Sequence, residues 1–154
     1  MNISEYTNRI EKHQELLKNL LNATSIKYSD WLPHNHTHLR ESVGVYHFYE
    51  VQGSHVISLY VGKAGFGVNE NWSLFERLKQ HFQPSQKYAL LGKASIKLCI
   101  TPQEAKKRLN SGNVHLQWLK LGERSNTQLI AIESELKWFE CFAIAVLMPE
   151  YTDA

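Results

Sequence analysis

The feature that most constrains the fold is a pair of strand-like runs joined by a short, glycine-containing connection. The two runs, Val43 to Val51 and Val56 to Val61, are rich in Val, Ile, Tyr and Phe, which favour β-strands. With residues 52–54 between them, they predict a β-hairpin. A connection of three residues would place Tyr46 opposite Tyr60 on one face, whereas an even-numbered connection would put them on opposite faces.

Apolar residues at helical spacing predict a helix near each end of the chain. The first helix covers Ser4 to Leu21, and its apolar stripe consists of Tyr6, Ile10, Leu17, Leu20 and Leu21. The last covers Asn126 to Met148, becomes almost wholly apolar in its second half, and ends before Pro149. The polar stretch from Asn22 to Ser42 is expected to be a connecting segment on the surface.

Two capping signatures and two apolar runs lie between the hairpin and the last helix. Ser73 begins a capping box, and the helix after it has an apolar stripe of Leu74, Leu78 and Phe82. A second, shorter helix is expected to begin at Thr101, which is followed by a proline. The runs Ala94 to Ile100 and Val114 to Leu121 are expected to be strands.

These elements predict one α+β domain, with a small mixed or antiparallel sheet of three or four strands flanked by helices. The chain has 154 residues, of which 43% are hydrophobic, enough for one buried core. Residues 1–42 supply the amphipathic N-terminal helix and the connecting segment, and residues 43–152 supply the core of the domain. The two cysteines, Cys99 and Cys141, each lie among apolar residues and are expected to be buried, reduced thiols.

Charge and hydropathy limit the kinds of partner that the chain is expected to bind. Lys and Arg number 17 against 15 Asp and Glu, so any nucleic-acid contact must come from clustered charge rather than from net charge. The longest apolar run, Cys141 to Met148, is far shorter than the ~20 residues that cross a bilayer. The N-terminus carries charges and has no apolar signal segment, and we therefore expect a cytoplasmic protein with no membrane partner.

Four short segments carry the functional signal. They are GVY at 44–46, YVGK at 60–63, LFERLKQHF at 74–82 and ECFAIAVLMPEYT at 140–152. Together they resemble the GIY-YIG nuclease domain, which includes the excision-repair nuclease, some homing endonucleases and certain type II restriction enzymes. The resemblance covers roughly residues 43–152, with the motifs in family order. It implies a metal-dependent endonuclease that hydrolyses DNA to 5′-phosphate and 3′-hydroxyl ends.

Residue by residue, the resemblance implies a role for each of four side chains. Tyr46 and Tyr60 are the two motif tyrosines, Arg77 is the catalytic arginine and Glu140 is the metal ligand. A guanidinium offers forked donors that match phosphate oxygens. A carboxylate is a hard ligand for Mg²⁺, or for Mn²⁺ in its place, and the ion would keep most of its waters.

Three further positions bear on the chemistry. A phenol can accept a proton only if its surroundings lower its pKa or a neighbour takes the proton, and Lys63 is placed to help. His81, one turn after Arg77, resembles the restriction-enzyme branch and is expected to be a proton acceptor or a phosphate ligand. The family pattern has Asn where this chain has Thr152. That departure motivates the alternative of a non-catalytic nucleic-acid-binding module with the same fold.

The metal ligand is chosen among three glutamates of the last predicted helix. Glu133 and Glu140 are seven residues apart and share a face, whereas Glu135 is rotated away and is expected at the surface. Glu140 stands nine residues before Pro149 and twelve before Thr152, which matches the family spacing. Since one small domain holds one such site, a nuclease that makes double-strand cuts would need to form a homodimer or to rebind.

A histidine-rich segment offers a competing interpretation. His34, His36 and His38 alternate, and Glu41 follows them. On a strand these histidines would share one face and form a metal site. The alternative is a polar surface segment that contacts DNA phosphates.

Overall fold

A computed structural model describes residues 1–65, 73–124 and 129–152, with the backbone alone for 129–132. It is an α+β fold in which four strands form one antiparallel sheet of order β1-β4-β2-β3. The elements, in chain order, are α1 (Ile3–Leu21), β1 (Ile26–Lys27), β2 (Ser42–Gln52), β3 (His55–Ala64), α2 (Leu74–Gln80), α3 (Leu90–Leu98), α4 (Pro102–Ser111), β4 (Val114–Glu123) and α5 (Leu129–Leu147). Among the described residues, no helix is both long and apolar enough to cross a membrane.

The β2–β3 hairpin brings the two motif tyrosines to one face by an unexpected route. Its turn holds two residues and begins at Gly53, whose φ of 62° suits glycine. An even-numbered turn was expected to separate Tyr46 from Tyr60. However, the pairing skips Leu59 in a β-bulge, and Tyr60 therefore pairs with Phe48. The bulge changes the parity of the register, and Tyr60 lies on the same face as Tyr46.

Helices cover both faces of the sheet. On one face α2, α3 and α4 bury an apolar cluster that includes Phe48, Leu78, Leu91, Leu109 and Leu116. On the other face α1 and α5 bury a second cluster that includes Leu20, Val45, Val61, Leu136 and Phe139. The sheet is therefore the middle layer, with strand residues alternating between two cores.

Most of the predicted elements are confirmed. Ser73 makes one half of the predicted capping box by accepting the backbone N–H of Glu76, whose carboxylate pairs with Lys79, and the Leu74, Leu78 and Phe82 stripe is buried. Thr101 forms a full capping box with Glu104 at the start of α4. The segment predicted as a surface connection also contains β1 and two 3₁₀ helices, Tyr28–Asp30 and Pro33–Leu39. The first residues predicted for the last helix fall in 125–128, outside the described residues.

The prediction of a strand at Ala94 to Ile100 is wrong, because this segment belongs to helix α3. The buried side chains of α3 recur at helical spacing: Leu90, Leu91, Ala94 and Ser95. Ile96 and Leu98 are exposed, and they gave the window its misleading apolar content. The helix ends at Cys99, which adopts the left-handed conformation with φ of 55°.

Two predictions of burial are also wrong. Leu17 and Leu20 of α1 are buried, but Tyr6 and Ile10 are more than half exposed, because the first half of the helix lies outside the two apolar clusters. Leu21 is exposed as well. Both cysteines are exposed free thiols, since Cys99 ends α3 and Cys141 lies on an exposed side of α5.

Candidate active site

The motif residues of the first three segments meet on the sheet face that carries α2. Tyr46 of β2 is only 1% exposed, and its hydroxyl lies 2.7 Å from Nε2 of His81, the residue that ends α2. The ring of Tyr60 lies parallel to that of Tyr46, with 6.2 Å between centroids, and 4.6 Å from the His81 ring. Arg77, one turn earlier on α2, influences the ionisation of Tyr46 through its charge and a side-chain hydrogen bond.

The two motif glycines are required by close approach. A Cβ on Gly62, the residue that pairs with Tyr46, would lie 2.4 Å from the Tyr46 hydroxyl oxygen. A Cβ on Gly44 would lie 2.0 Å from the backbone oxygen of Leu119 on β4. Any side chain at either position would displace a phenol or a strand, and the GVY and YVG segments therefore have a structural basis.

The hydrogen bonds of His81 fix its tautomer. The backbone N–H of Leu90 donates to Nδ1 over 2.9 Å, and an N–H can only donate, so Nδ1 carries the lone pair. The hydrogen of the neutral ring is then on Nε2, which donates to the Tyr46 hydroxyl. Both ring nitrogens are engaged inside the protein, which favours neither of the two roles predicted from the sequence. In this geometry His81 is a hydrogen-bond donor to the Tyr46 hydroxyl.

Burial and charge act in opposite directions on these groups. Burial is the main reason that the pKa of Tyr46 lies well above its usual value; Tyr60 and Glu140 raise it further, and Arg77 lowers it. Burial, helped by the nearby charge of Arg77, lowers the pKa of His81 to about 3. His81 is therefore neutral at physiological pH, and Tyr46 depends on nearby positive charge to ionise.

His81 predicts an acid-sensitive stability. Because its folded pKa of about 3 lies below the usual 6.5, the unfolded chain binds this proton first. The free energy of unfolding should therefore fall as pH decreases from 6.5 towards 3, by about 1.4 kcal/mol per unit and on the order of 4 kcal/mol in total. We expect His81→Gln, which does not titrate, to lose that part of the slope in denaturant titrations at several pH values. Parallel curves for the two proteins would contradict the assignment.

Glu140 joins the site from α5, at the outer edge of β3. Its carboxylate is half-buried and accepts the backbone N–H of Lys63. Burial raises the pKa of Glu140, while the charges of Lys63 and Arg77 lower it. Of the two competing glutamates, Glu133 is exposed and Glu135 forms an exposed ion pair with Lys12 over 2.5 Å. Of these three glutamates, Glu140 is the half-buried one, and it lies close enough to Arg77 and Lys63 for their charges to lower its pKa.

The tail after α5 explains the spacing from Glu140 to Thr152. The hydroxyl of Thr152 accepts the backbone N–H of Val61 over 2.8 Å and donates to the backbone oxygen of the same residue over 3.1 Å. The N–H of Tyr151 donates to the backbone oxygen of Leu59 over 2.8 Å. The tail thus returns along the edge of β3 beside Glu140, and Thr152 makes both of its contacts without the family amide.

An open cavity of about 280 Å³ adjoins the candidate site. Its walls include three of the predicted site residues, Tyr60, Arg77 and His81, together with Gln80, Gln86, Tyr88 and Ala89. Sequence reasoning missed Gln86 and Tyr88, because the segment between α2 and α3 has neither periodicity nor a motif. The Tyr46 side chain is buried, but its ring adjoins those of Tyr60 and His81, two of the residues that line the cavity.

The histidine-rich segment does not have the geometry that a metal site on a strand requires. It forms two short 3₁₀ turns joined by a kink at His36 rather than an extended strand, so the three histidines do not share one strand face. His36 stacks on Trp31 with 4.3 Å between ring centroids, while His34 and His38 are exposed. Throughout 1–65, 73–124 and the described side chains of α5 and the tail, no group of three or more His, Cys, Asp or Glu side chains is arranged to hold a metal ion.

A one-carboxylate metal site is compatible with the residues present. The Glu140 carboxylate is an oxygen ligand of the kind that Mg²⁺ takes singly, with water and substrate phosphate completing the shell.

Comparisons of the chain with protein-family models, curated proteins and solved structures find no match. The functional interpretation therefore depends on the motifs and on this geometry.

Proposed function

We propose that this chain is a divalent-metal-dependent DNA endonuclease of the GIY-YIG kind. The observation that carries the proposal is that one cation, one carboxylate and one buried phenol come together from α2, α5 and β2. The Tyr46 hydroxyl lies 2.7 Å from His81, which lines the same cavity as Arg77. Glu140 accepts the backbone N–H of Lys63 on the strand beside Tyr46, and the charge of Arg77 lowers the pKa values of both Tyr46 and Glu140. Such an arrangement matches the three needs of phosphodiester hydrolysis: charge neutralisation, a proton acceptor and a metal ligand.

The chain's own groups divide the work. Arg77 faces the cavity and presents a fork of N–H donors to the non-bridging oxygens of the scissile phosphate. Tyr46, as phenolate, accepts the proton of the attacking water, and the Nε2–H of His81 stabilises that charge. Tyr60, stacked beside both rings, positions the water or the phosphate.

Glu140 would hold Mg²⁺, or Mn²⁺ in its place, and the backbone N–H of Lys63 orients the carboxylate. When bound, the ion supplies positive charge to the phosphate and to the departing oxygen.

The alternative of a non-catalytic nucleic-acid-binding module was motivated by Thr152. Because Thr152 bonds both the N–H and the oxygen of Val61, the loss of the amide leaves this edge intact, which weakens that motive.

A cleavage assay separates the two functions. Purified protein is incubated with supercoiled plasmid and with branched DNA, in Mg²⁺, in Mn²⁺ and in EDTA. We expect cutting that requires the metal and leaves 5′-phosphate and 3′-hydroxyl ends. Tight DNA binding without cutting in either metal would favour the non-catalytic module. Linear products at concentrations that give dimers in sedimentation would support a homodimer.

The two motif tyrosines should differ in their effect on stability but not on rate. We expect Tyr46→Phe and Tyr60→Phe each to slow cleavage by about ten-fold or more. Tyr46→Phe should also cost about 1–3 kcal/mol of unfolding free energy, because it leaves the buried Nε2–H of His81 without its acceptor. Tyr49→Phe is the matched control, since Tyr49 lies on the other face of β2 against His115. Normal rates in both variants would exclude the phenols from the chemistry.

A further inference from the structure

A groove leads away from the candidate active site along α3. The catalytic cavity shares Tyr88 with a second cavity of about 330 Å³. The second cavity shares Glu150 and Tyr151 with a third, of about 250 Å³, which reaches Leu98 and Arg108. The three cavities therefore follow one another from Arg77 to Leu98, each sharing a lining residue with the next, and together they are called the groove.

The middle of this groove is basic. Lys87, Lys93 and Lys97 line it; the last two are four residues apart and so lie on one face of α3. The acidic residue there is Glu150, whose carboxylate is bound by Lys97 over 2.9 Å. Its charge is therefore compensated, and the groove retains a net positive charge that suits phosphates.

Aromatic rings alternate with these cations. Tyr60 lies in the first cavity, Tyr88 at the junction with the second and Tyr151 at the junction with the third. Tyr88 is 76% exposed, unusually high for a large aromatic side chain. The Lys97 ammonium lies 5.5 Å from the centroid of the Tyr151 ring. The Lys87 ammonium lies 5.6 Å from the centroid of the Tyr88 ring. An exposed ring such as Tyr88, flanked by cations and by the partly exposed rings of Tyr60 and Tyr151, suits a single strand, because bases stack on the rings while phosphates pair with the ammonium groups.

We infer that this groove binds an unpaired stretch of the DNA strand that carries the scissile phosphate. The substrate class is then DNA with a flap, overhang or bulge at the cut, because bases inside a duplex are already stacked and cannot reach Tyr88. A helix of nine residues such as α3 is about 13 Å long, which is enough for a short run of unpaired nucleotides. The inference rests on the proposed function, since it places the groove beside the cleaved bond.

Binding and cleavage test the groove separately. Fluorescence anisotropy with a ten-nucleotide oligothymidine in EDTA measures single-strand affinity without cutting. Tyr88→Ala should weaken it about ten-fold, whereas Tyr88→Phe, which keeps the ring, should bind like the parent. Tyr6→Ala and Lys107→Ala remove an exposed tyrosine and an exposed lysine elsewhere and serve as controls.

Cleavage in Mg²⁺ then compares a duplex with the same duplex carrying a five-nucleotide flap. The parent should prefer the flap, and Tyr88→Ala should lose most of that preference. Cutting of both substrates at equal rates by parent and variant, with unchanged oligothymidine affinity, would overturn the groove and leave the nuclease intact. Tyr88-dependent oligothymidine binding without any cutting would support single-strand binding by the groove but exclude the nuclease, and with it the role of the groove beside a cut.

Discussion

Replacing Arg77 with alanine should reduce DNA cleavage by roughly 100-fold or more while leaving the fold intact. The side chain lies beside the buried stripe of α2 rather than within it, and it lines the cavity of the candidate site. Its removal takes away the phosphate fork and also a charge that lowers the pKa values of Tyr46 and Glu140. The loss should therefore exceed that of a phosphate contact alone.

Arg77→Lys should restore little of this activity, because an ammonium cannot reproduce the two parallel donors of a guanidinium. Arg9→Ala is a suitable control, since Arg9 stacks over Trp138 on the opposite layer. Thermal unfolding of all three variants shows whether they fold. A folded Arg77→Ala protein that cuts at the parent rate would remove Arg77 from the mechanism.

Glu140→Gln should eliminate Mg²⁺-dependent cleavage, again by roughly 100-fold or more, and retain DNA binding. The amide has nearly the same shape and can still accept the Lys63 N–H, so the fold should be maintained. It lacks the negative charge that a hard divalent cation requires. The substitution also removes a charge that raises the pKa of Tyr46, so Tyr46 should ionise more easily in the variant. The loss of cleavage therefore cannot come from a phenol that ionises less easily.

The same helix supplies both controls. Glu135→Gln weakens only an exposed ion pair with Lys12, worth about 1 kcal/mol or less, and should cut normally. Glu133→Gln, on the predicted face but exposed, should fall between the two. Metal titration of the three variants, followed by cleavage, compares them directly. Full activity in Glu140→Gln with loss in Glu133→Gln would mean that the ligand lies two turns earlier.

The sequence predicted the hairpin and the capped helices because each depends on a local pattern of residues. It could not predict the shared face of Tyr46 and Tyr60, since the β-bulge at Leu59 has no signature of its own. It misassigned α3 because the buried Leu90 and Leu91 lie before the window that was read as a strand.

The sequence predicted which residues come together in the candidate site but not the contacts that each makes. His81 was expected to take a proton or bind phosphate, and we propose a different role because the Leu90 N–H occupies Nδ1, a contact between segments that no spacing reveals. The same holds for Thr152, whose two bonds to Val61 form only when the tail returns along β3. Tyr88 joined the site through the turn before α3, where the sequence shows neither a motif nor periodicity.

The pH dependence of single-turnover DNA cleavage in saturating Mg²⁺ tests the central claim most directly. If Tyr46 accepts the proton as a phenolate of raised pKa, the rate should rise about ten-fold per pH unit between about pH 6 and 9, without levelling off. Because the lowered pKa of His81 keeps it neutral across this range, the slope of rate against pH should not change near pH 6.5. A rate that levels off near pH 7 would contradict the account and indicate that a group with a histidine-like pKa takes the proton.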